Sequence, residues 1–146
     1  MRLGAVESGL GPTPLMILVA GPYRSGTGDD PTRIAANMRA MNDAALAIFR
    51  RGHLPVTGEA MALPLIQTAG STAIGDAPFV EIFHPLAHRL LRRCDAVLRI
   101  GGASAGADEM VSTARLLGVR VFVDLSDIPD LTGHAALAAG TPGDPS

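Results

Sequence analysis

Apolar and polar positions alternate along this chain in two rhythms, one of short unbroken runs and one of helical spacing. Residues 15–20 (Leu-Met-Ile-Leu-Val-Ala) are continuously apolar and stop at Gly21-Pro22. A run too short for a helix and bounded by turn residues predicts a strand covered on both faces. After a polar, Gly-rich stretch over 23–30, Pro31 stands as the first residue of a helix behind a capping Asp30. Ile34, Met38, Met41, Ala45, Ile48 and Phe49 then recur at helical spacing, and Arg50, Arg51 and Gly52 close that helix. A short strand follows at 54–57, then Gly58-Glu59 and an apolar stretch over 60–67. Residues 68–78, rich in Gly, Ser and Thr, predict a surface loop. Helical spacing resumes over 79–93 through Val80, Phe83, Leu86 or Ala87, Leu90 and Leu91. Asp95 opens a third strand at 96–100, the segment 101–106 turns into a helix ending at Gly118, and a fourth strand covers 119–123.

Strands alternating with helices predict an α/β fold, a Rossmann-like or flavodoxin-like three-layer sandwich on a parallel sheet of four to five strands. The length of 146 residues suits one domain. That domain is expected over 14–137, between a flexible leader at 1–13 and a Gly/Pro-rich tail at 138–146. Ligands of such sheets bind beyond the carboxyl ends of the strands, which selects the loops at 21–30, 58–62 and 101–109.

Composition narrows the partners. With 47 % apolar and 18 % charged residues the chain is globular rather than disordered. A net charge of −2 gives no electrostatic footprint for a phosphate backbone. Aromatics at 3 %, with no Trp and one Tyr, leave few platforms for stacked bases, so no nucleic-acid partner is expected. The single Cys94 rules out an intramolecular disulfide and a Cys-based zinc site, and reads as a small packed hydrophobe. The longest apolar run, 14–20, is too short to span a bilayer, and the first 13 residues show no secretory pattern. The expected setting is the cytoplasm, with no membrane partner.

Chemistry concentrates in the three loops. Gly21 lets the chain leave its strand sharply, and Arg24 can grip a phosphate or carboxylate with two hydrogen bonds. No Gly-Lys-Ser/Thr follows, so this is not a P-loop, and Gly26-Thr27-Gly28 lacks the third glycine of a dinucleotide fingerprint. A solvated loop with an exposed Arg accounts for the spacing equally well. In the third loop Ser104 is placed to cap a helix, and the free N–H groups behind it form an anion site. Asp108 and Glu109 fall in that helix's first turn, where the helix dipole alone accounts for two acids. The alternative is that one of them faces the ligand as nucleophile or acid. Glu59 follows the second strand directly, where it can take a ribose hydroxyl or a base edge, and Asn37 lies within reach of the first loop. His84 and His88 share a helix face, but Pro85 lies between them and no zinc-protease Glu accompanies them. His53 and His134 read as surface residues, and no motif calls for a metal or a cofactor.

Five segments carry a resemblance: Val19-Ala20-Gly21-Pro22-Tyr23-Arg24, Gly52-His53-Leu54-Pro55-Val56, Cys94-Asp95-Ala96-Val97-Leu98, Ser104-x-Gly106-Ala107, and Ala114-x-x-x-Gly118. Together, over residues 15–123, they resemble the nucleoside 2-deoxyribosyltransferase-like superfamily, which includes deoxynucleoside monophosphate N-glycosidases. The resemblance implies action on the base–sugar bond of a nucleoside or nucleotide. In that chemistry a Glu attacks the anomeric carbon, and water or a second base resolves the glycosyl-enzyme. It implies a phosphate on the Ser104, Gly106 and Ala107 turn and on Arg24, and a homodimer or larger homo-oligomer. With the residue readings above, the expected ligand contacts are Gly21, Pro22, Tyr23, Arg24, Asn37, Glu59, Ser104, Gly106 and Ala107. The family's Glu lies six residues after the Ser, where this chain has Met110. Met110, Ala114 and Leu117 share one helix face, and Glu109 lies about 100° from it. The family's Asp in the preceding helix is also replaced, by Ala87 and His88. Three alternatives stand: an enzyme using Glu109, with Asp108 beside it; a catalytically silent nucleotide sensor; and a structural dimerisation domain.

Overall fold

The computed structural model describes residues 12–133. The tail expected at 138–146, residues 134–137 of the expected domain, and all of the leader but Pro12 and Thr13 lie outside them. Four strands, β1 (Met16–Ala20), β2 (Leu54–Thr57), β3 (Ala96–Arg99) and β4 (Arg120–Phe122), form one sheet in the order β2-β1-β3-β4. All pairings are parallel, with Leu18 opposite Val56 on one side and Val97 on the other. Helices α1 (Pro31–Arg50), α2 (Gly58–Thr68), α3 (Ala77–Leu91) and α4 (Ala105–Leu117) connect the strands, and a 3-10 turn at Leu125–Asp127 follows β4.

The unbroken apolar runs follow from burial on both faces. Leu18, Ala20 and Val97 pack against Leu91, Met110 and Ala114 of α3 and α4. Ile17, Val19, Ala96 and Leu98 point the other way, onto Met41 and Ile48 of α1 and onto Phe122 and Ile128. This is the expected three-layer α/β sandwich, with four strands.

The structure differs from the sequence expectation in local ways. Helix α2 takes in Gly58-Glu59, the apolar stretch over 60–67 and Thr68, and α3 begins at Ala77, inside the loop expected over 68–78. Asp30 holds the N-cap position of α1 but its side chain makes no capping bond, leaving the preset φ of Pro31 to start the helix. The stronger cap is Asp76 of α3, whose carboxylate accepts N–H bonds from Phe79 at 3.2 Å and Thr72 at 2.9 Å. The chain runs outward from β1 to β2 and then crosses back to β3. The loops after β1 and β3 therefore diverge, which opens a crevice at the carboxyl edge between them.

Candidate functional site

The first loop is shaped by close packing at its root and by one buried side chain at its tip. A Cβ on Gly21 would lie 2.9 Å from both Ile100 Cγ1 and Met41 Sδ, so only glycine fits at the exit of β1. Asn37 on α1 donates from Nδ2 to the Tyr23 carbonyl at 2.9 Å and fixes the next residue. Thr27 is buried and bonds the Arg24 carbonyl through both N–H and Oγ1. That turn brings Arg24 Nε and Nη2 onto the two carboxylate oxygens of Asp29, each at 2.9 Å. The Tyr23 ring faces α3, 5.2 Å from Phe83, and Phe83 stacks on Phe79 at 4.7 Å and 13°. Three of the chain's five aromatic residues thus form one wall.

The second loop supplies a buried acid. Thr57, the last residue of β2, caps α2 by accepting the Ala60 N–H at 3.2 Å. A Cβ on Gly58 would lie 3.2 Å from that of Ala87, so α2 starts hard against α3. Glu59 is thereby turned inward. It is only 7 % exposed, and its Oε2 has no hydrogen-bond partner among the described residues. Burial pushes its pKa above the ordinary 4.5, against a smaller downward pull from its own backbone N–H. The Tyr23 hydroxyl is pushed up as well, first by burial and then by the charge of Glu59, so the two groups share one enclosure.

The third loop closes the site. Ser104 Oγ accepts the Ala107 N–H at 3.2 Å as the cap of α4, and Ser25 Oγ donates to it at 3.2 Å, tying the first loop to the third. His84 of α3 lies over Gly106, where a Cβ would sit 2.9 Å from its Cε1, and stands edge-on to Phe83 at 5.3 Å. The pocket so enclosed has a volume of about 190 Å³. Of the expected ligand residues, Gly21, Tyr23, Arg24, Glu59, Ser104, Gly106 and Ala107 line it. Asn37 supports it from behind, and Pro22 packs on Gly101 instead. Phe79, Phe83, His84 and Met110 also line it, residues whose helical spacing gives no sign of a pocket.

Asp108 and Glu109 do not reach the pocket. The Ser104 cap sets the phase of α4 so that Ala107, Met110, Val111 and Ala114 are buried. Asp108 faces outward and pairs with Arg99, Nε to Oδ1 at 3.1 Å, with 70 % of its side chain exposed. Glu109 is also exposed, and its Oε1 lies 3.8 Å from Nε2 of His88. Met110 holds the inward slot instead. Leu117, expected on the same buried face, is 41 % exposed because α4 ends there. His53, read as a surface residue, is buried. Cys94 packs as expected, its Sγ–H directed at the Leu90 carbonyl, and burial pushes its thiol up to about 11, which keeps it protonated and inert. No group of three or more metal-ligating side chains occurs among the described residues, and none of their helices is long and apolar enough to cross a membrane.

This chain is similar in structure to a 2-deoxyribosyltransferase from the psychrotolerant bacterium Bacillus psychrosaccharolyticus, described as a biocatalyst for nucleoside synthesis. The TM-score is 0.53 at 15 % identity, over 73 % of this chain and 69 % of the other. The fold is deoxyribosyltransferase-like. No family model and no curated protein matches the sequence. In a deoxyribosyltransferase-like fold the crevice at the β1/β3 switch point is the expected place for a ligand, and here it holds the aromatic wall and Glu59.

Proposed function

We propose that the pocket binds a nucleoside or nucleotide and acts on its base–sugar bond, with Glu59 as the reacting carboxylate. The observation that carries this reading is the buried Oε2 of Glu59, without a hydrogen-bond partner among the described residues, in a pocket walled by three packed aromatics. A planar base suits that wall, and a desolvated carboxylate is the group that glycosyl transfer requires. An oxygen of ionised Glu59 bonds to the anomeric carbon as the carbon–nitrogen bond breaks. The bonding pair leaves with the base, which takes up a proton from His84 or from water. Water or a second base then displaces the carboxylate. Glu109, the nucleophile of the enzyme alternative weighed from the sequence, is replaced in this role because its carboxylate is exposed outside the pocket.

A second reading, a nucleotide sensor without turnover, is favoured by Met110, which lines the pocket where the resemblance calls for a Glu. A thermal-shift screen of nucleosides and their 5′-monophosphates, with released base followed by chromatography, separates the two. Base release that falls at least about a thousandfold in Glu59→Gln and persists in Glu109→Gln supports the enzyme reading. The reverse pattern overturns the assignment of Glu59. Stabilisation without release selects the sensor, and a flat screen removes both. The homo-oligomer that the resemblance implies belongs to the same proposal, and light scattering on the purified chain tests it.

A further inference from the structure

Arg24 is the only guanidinium or ammonium lining the pocket among the described residues, and two of its donors already face a carboxylate. Its Nε and Nη2 take both oxygens of Asp29 at 2.9 Å. One face of the guanidinium lies 5.5 Å over the Phe79 ring. It also lies against Gly75, where a Cβ would sit 2.9 Å from both Nη atoms. Asp29 in turn is held at φ +60°, a left-handed conformation that a residue with a Cβ rarely adopts. Its N–H is bonded at 3.0 Å to Oγ1 of Thr27, which is 3 % exposed. A strained residue fixed by a buried threonine and aimed at one cation is a built arrangement rather than a chance surface pair.

Resting on the nucleoside reading above, we propose that Asp29 is a specificity-determining residue: by committing Arg24 it makes the pocket favour an uncharged nucleoside over its 5′-monophosphate. An incoming phosphate meets a guanidinium already paired with a carboxylate through Nε and Nη2, and must compete with Asp29 for those two donors. The acid inside the pocket, Glu59, adds no attraction for an anion. A nucleoside brings only neutral donors, acceptors and a planar ring, and these the pocket can meet. A two-bond grip of Arg24 on a phosphate through Nε and Nη2 requires that Asp29 give way.

The test is calorimetric titration of the full chain with 2′-deoxyadenosine, thymidine and their 5′-monophosphates. Wild type is expected to bind a nucleoside about tenfold more tightly than its monophosphate. Asp29→Asn keeps a residue that tolerates positive φ while removing the charge. It is expected to tighten monophosphate binding about three- to tenfold, with nucleoside affinity changed less than about twofold. Asp29→Gly, which also relieves the backbone strain, gives the same shift, and adding Arg24→Gln to either variant abolishes the gain. A wild type that prefers the monophosphate, or an unchanged preference in both Asp29 variants, overturns the role of Asp29 alone. A wild type that binds none of the four compounds overturns the nucleoside reading, and this proposal with it.

Discussion

A carboxylate buried without a partner costs free energy that the rest of the fold must offset, and Glu59 is placed that way with Tyr23 beside it. Its folded pKa is raised above 4.5, so the folded chain binds a proton more tightly than the unfolded one. The stabilisation this gives is complete below about pH 4.5 and is lost as pH rises through the folded value. Glu59→Gln, which has no charge to bury, is therefore expected to melt a few degrees higher than wild type at neutral pH. The gap should close on acidification below about pH 4.5, as followed by circular dichroism. A gap independent of pH would mean that Glu59 is not held away from water. This residue was legible in the sequence, because an acid at the end of a strand beside an apolar stretch has few other uses. Phe79 and Phe83 were not. Their helical spacing reads as core, and what makes them a pocket wall is Tyr23, brought across from the first loop by tertiary contact.

Among the elements, the strands were read within a residue or two because a sheet covered on both faces writes its own apolar runs into the chain. Helix α2 was not read, for a physical reason. It opens on Gly58 and contains Pro64, whose missing N–H leaves the Ala60 carbonyl without its intrahelical partner. Local propensity opposes this helix, and the packing of Ala62 and Ile66 against Phe79 overrides it. For α4 the sequence left Met110 and Glu109 as rivals for the inward position, and the Ser104 cap decides between them by fixing where the helix begins. That cap is also the acceptor for Ser25 across the crevice. Ser104→Ala should therefore cost about 1 kcal/mol of stability in denaturant titration and also weaken ligand binding by loosening the first loop. A loss of stability with unchanged affinity would confine Ser104 to helix capping.

Across the whole molecule, the edge of the sheet away from the pocket is held by contacts that sequence spacing cannot show. His53 Nδ1 accepts the Leu15 N–H at 2.9 Å, which places its proton on Nε2, 2.7 Å from the Pro129 carbonyl. These partners stand 38 and 76 residues away in the chain, so nothing local to His53 marks it as buried. Arg51 strengthens the same junction, donating to the Ile128 carbonyl at 3.0 Å and accepting the Leu131 N–H at 2.8 Å. His53→Ala leaves a donor and an acceptor unmet and should destabilise the chain by about 1–3 kcal/mol. Ligand affinity should stay unchanged, because His53 precedes β2 whereas the pocket lies beyond the strands' carboxyl ends. An affinity loss as large as the stability loss would mean that the two edges are coupled. The aromatic wall has a practical consequence of its own. The chain has one Tyr and no Trp, and that Tyr lines the pocket. Excited at wavelengths that phenylalanine does not absorb, the protein therefore emits from a single residue lining the cavity, and a stacked guest that quenches it can be titrated in unlabelled protein.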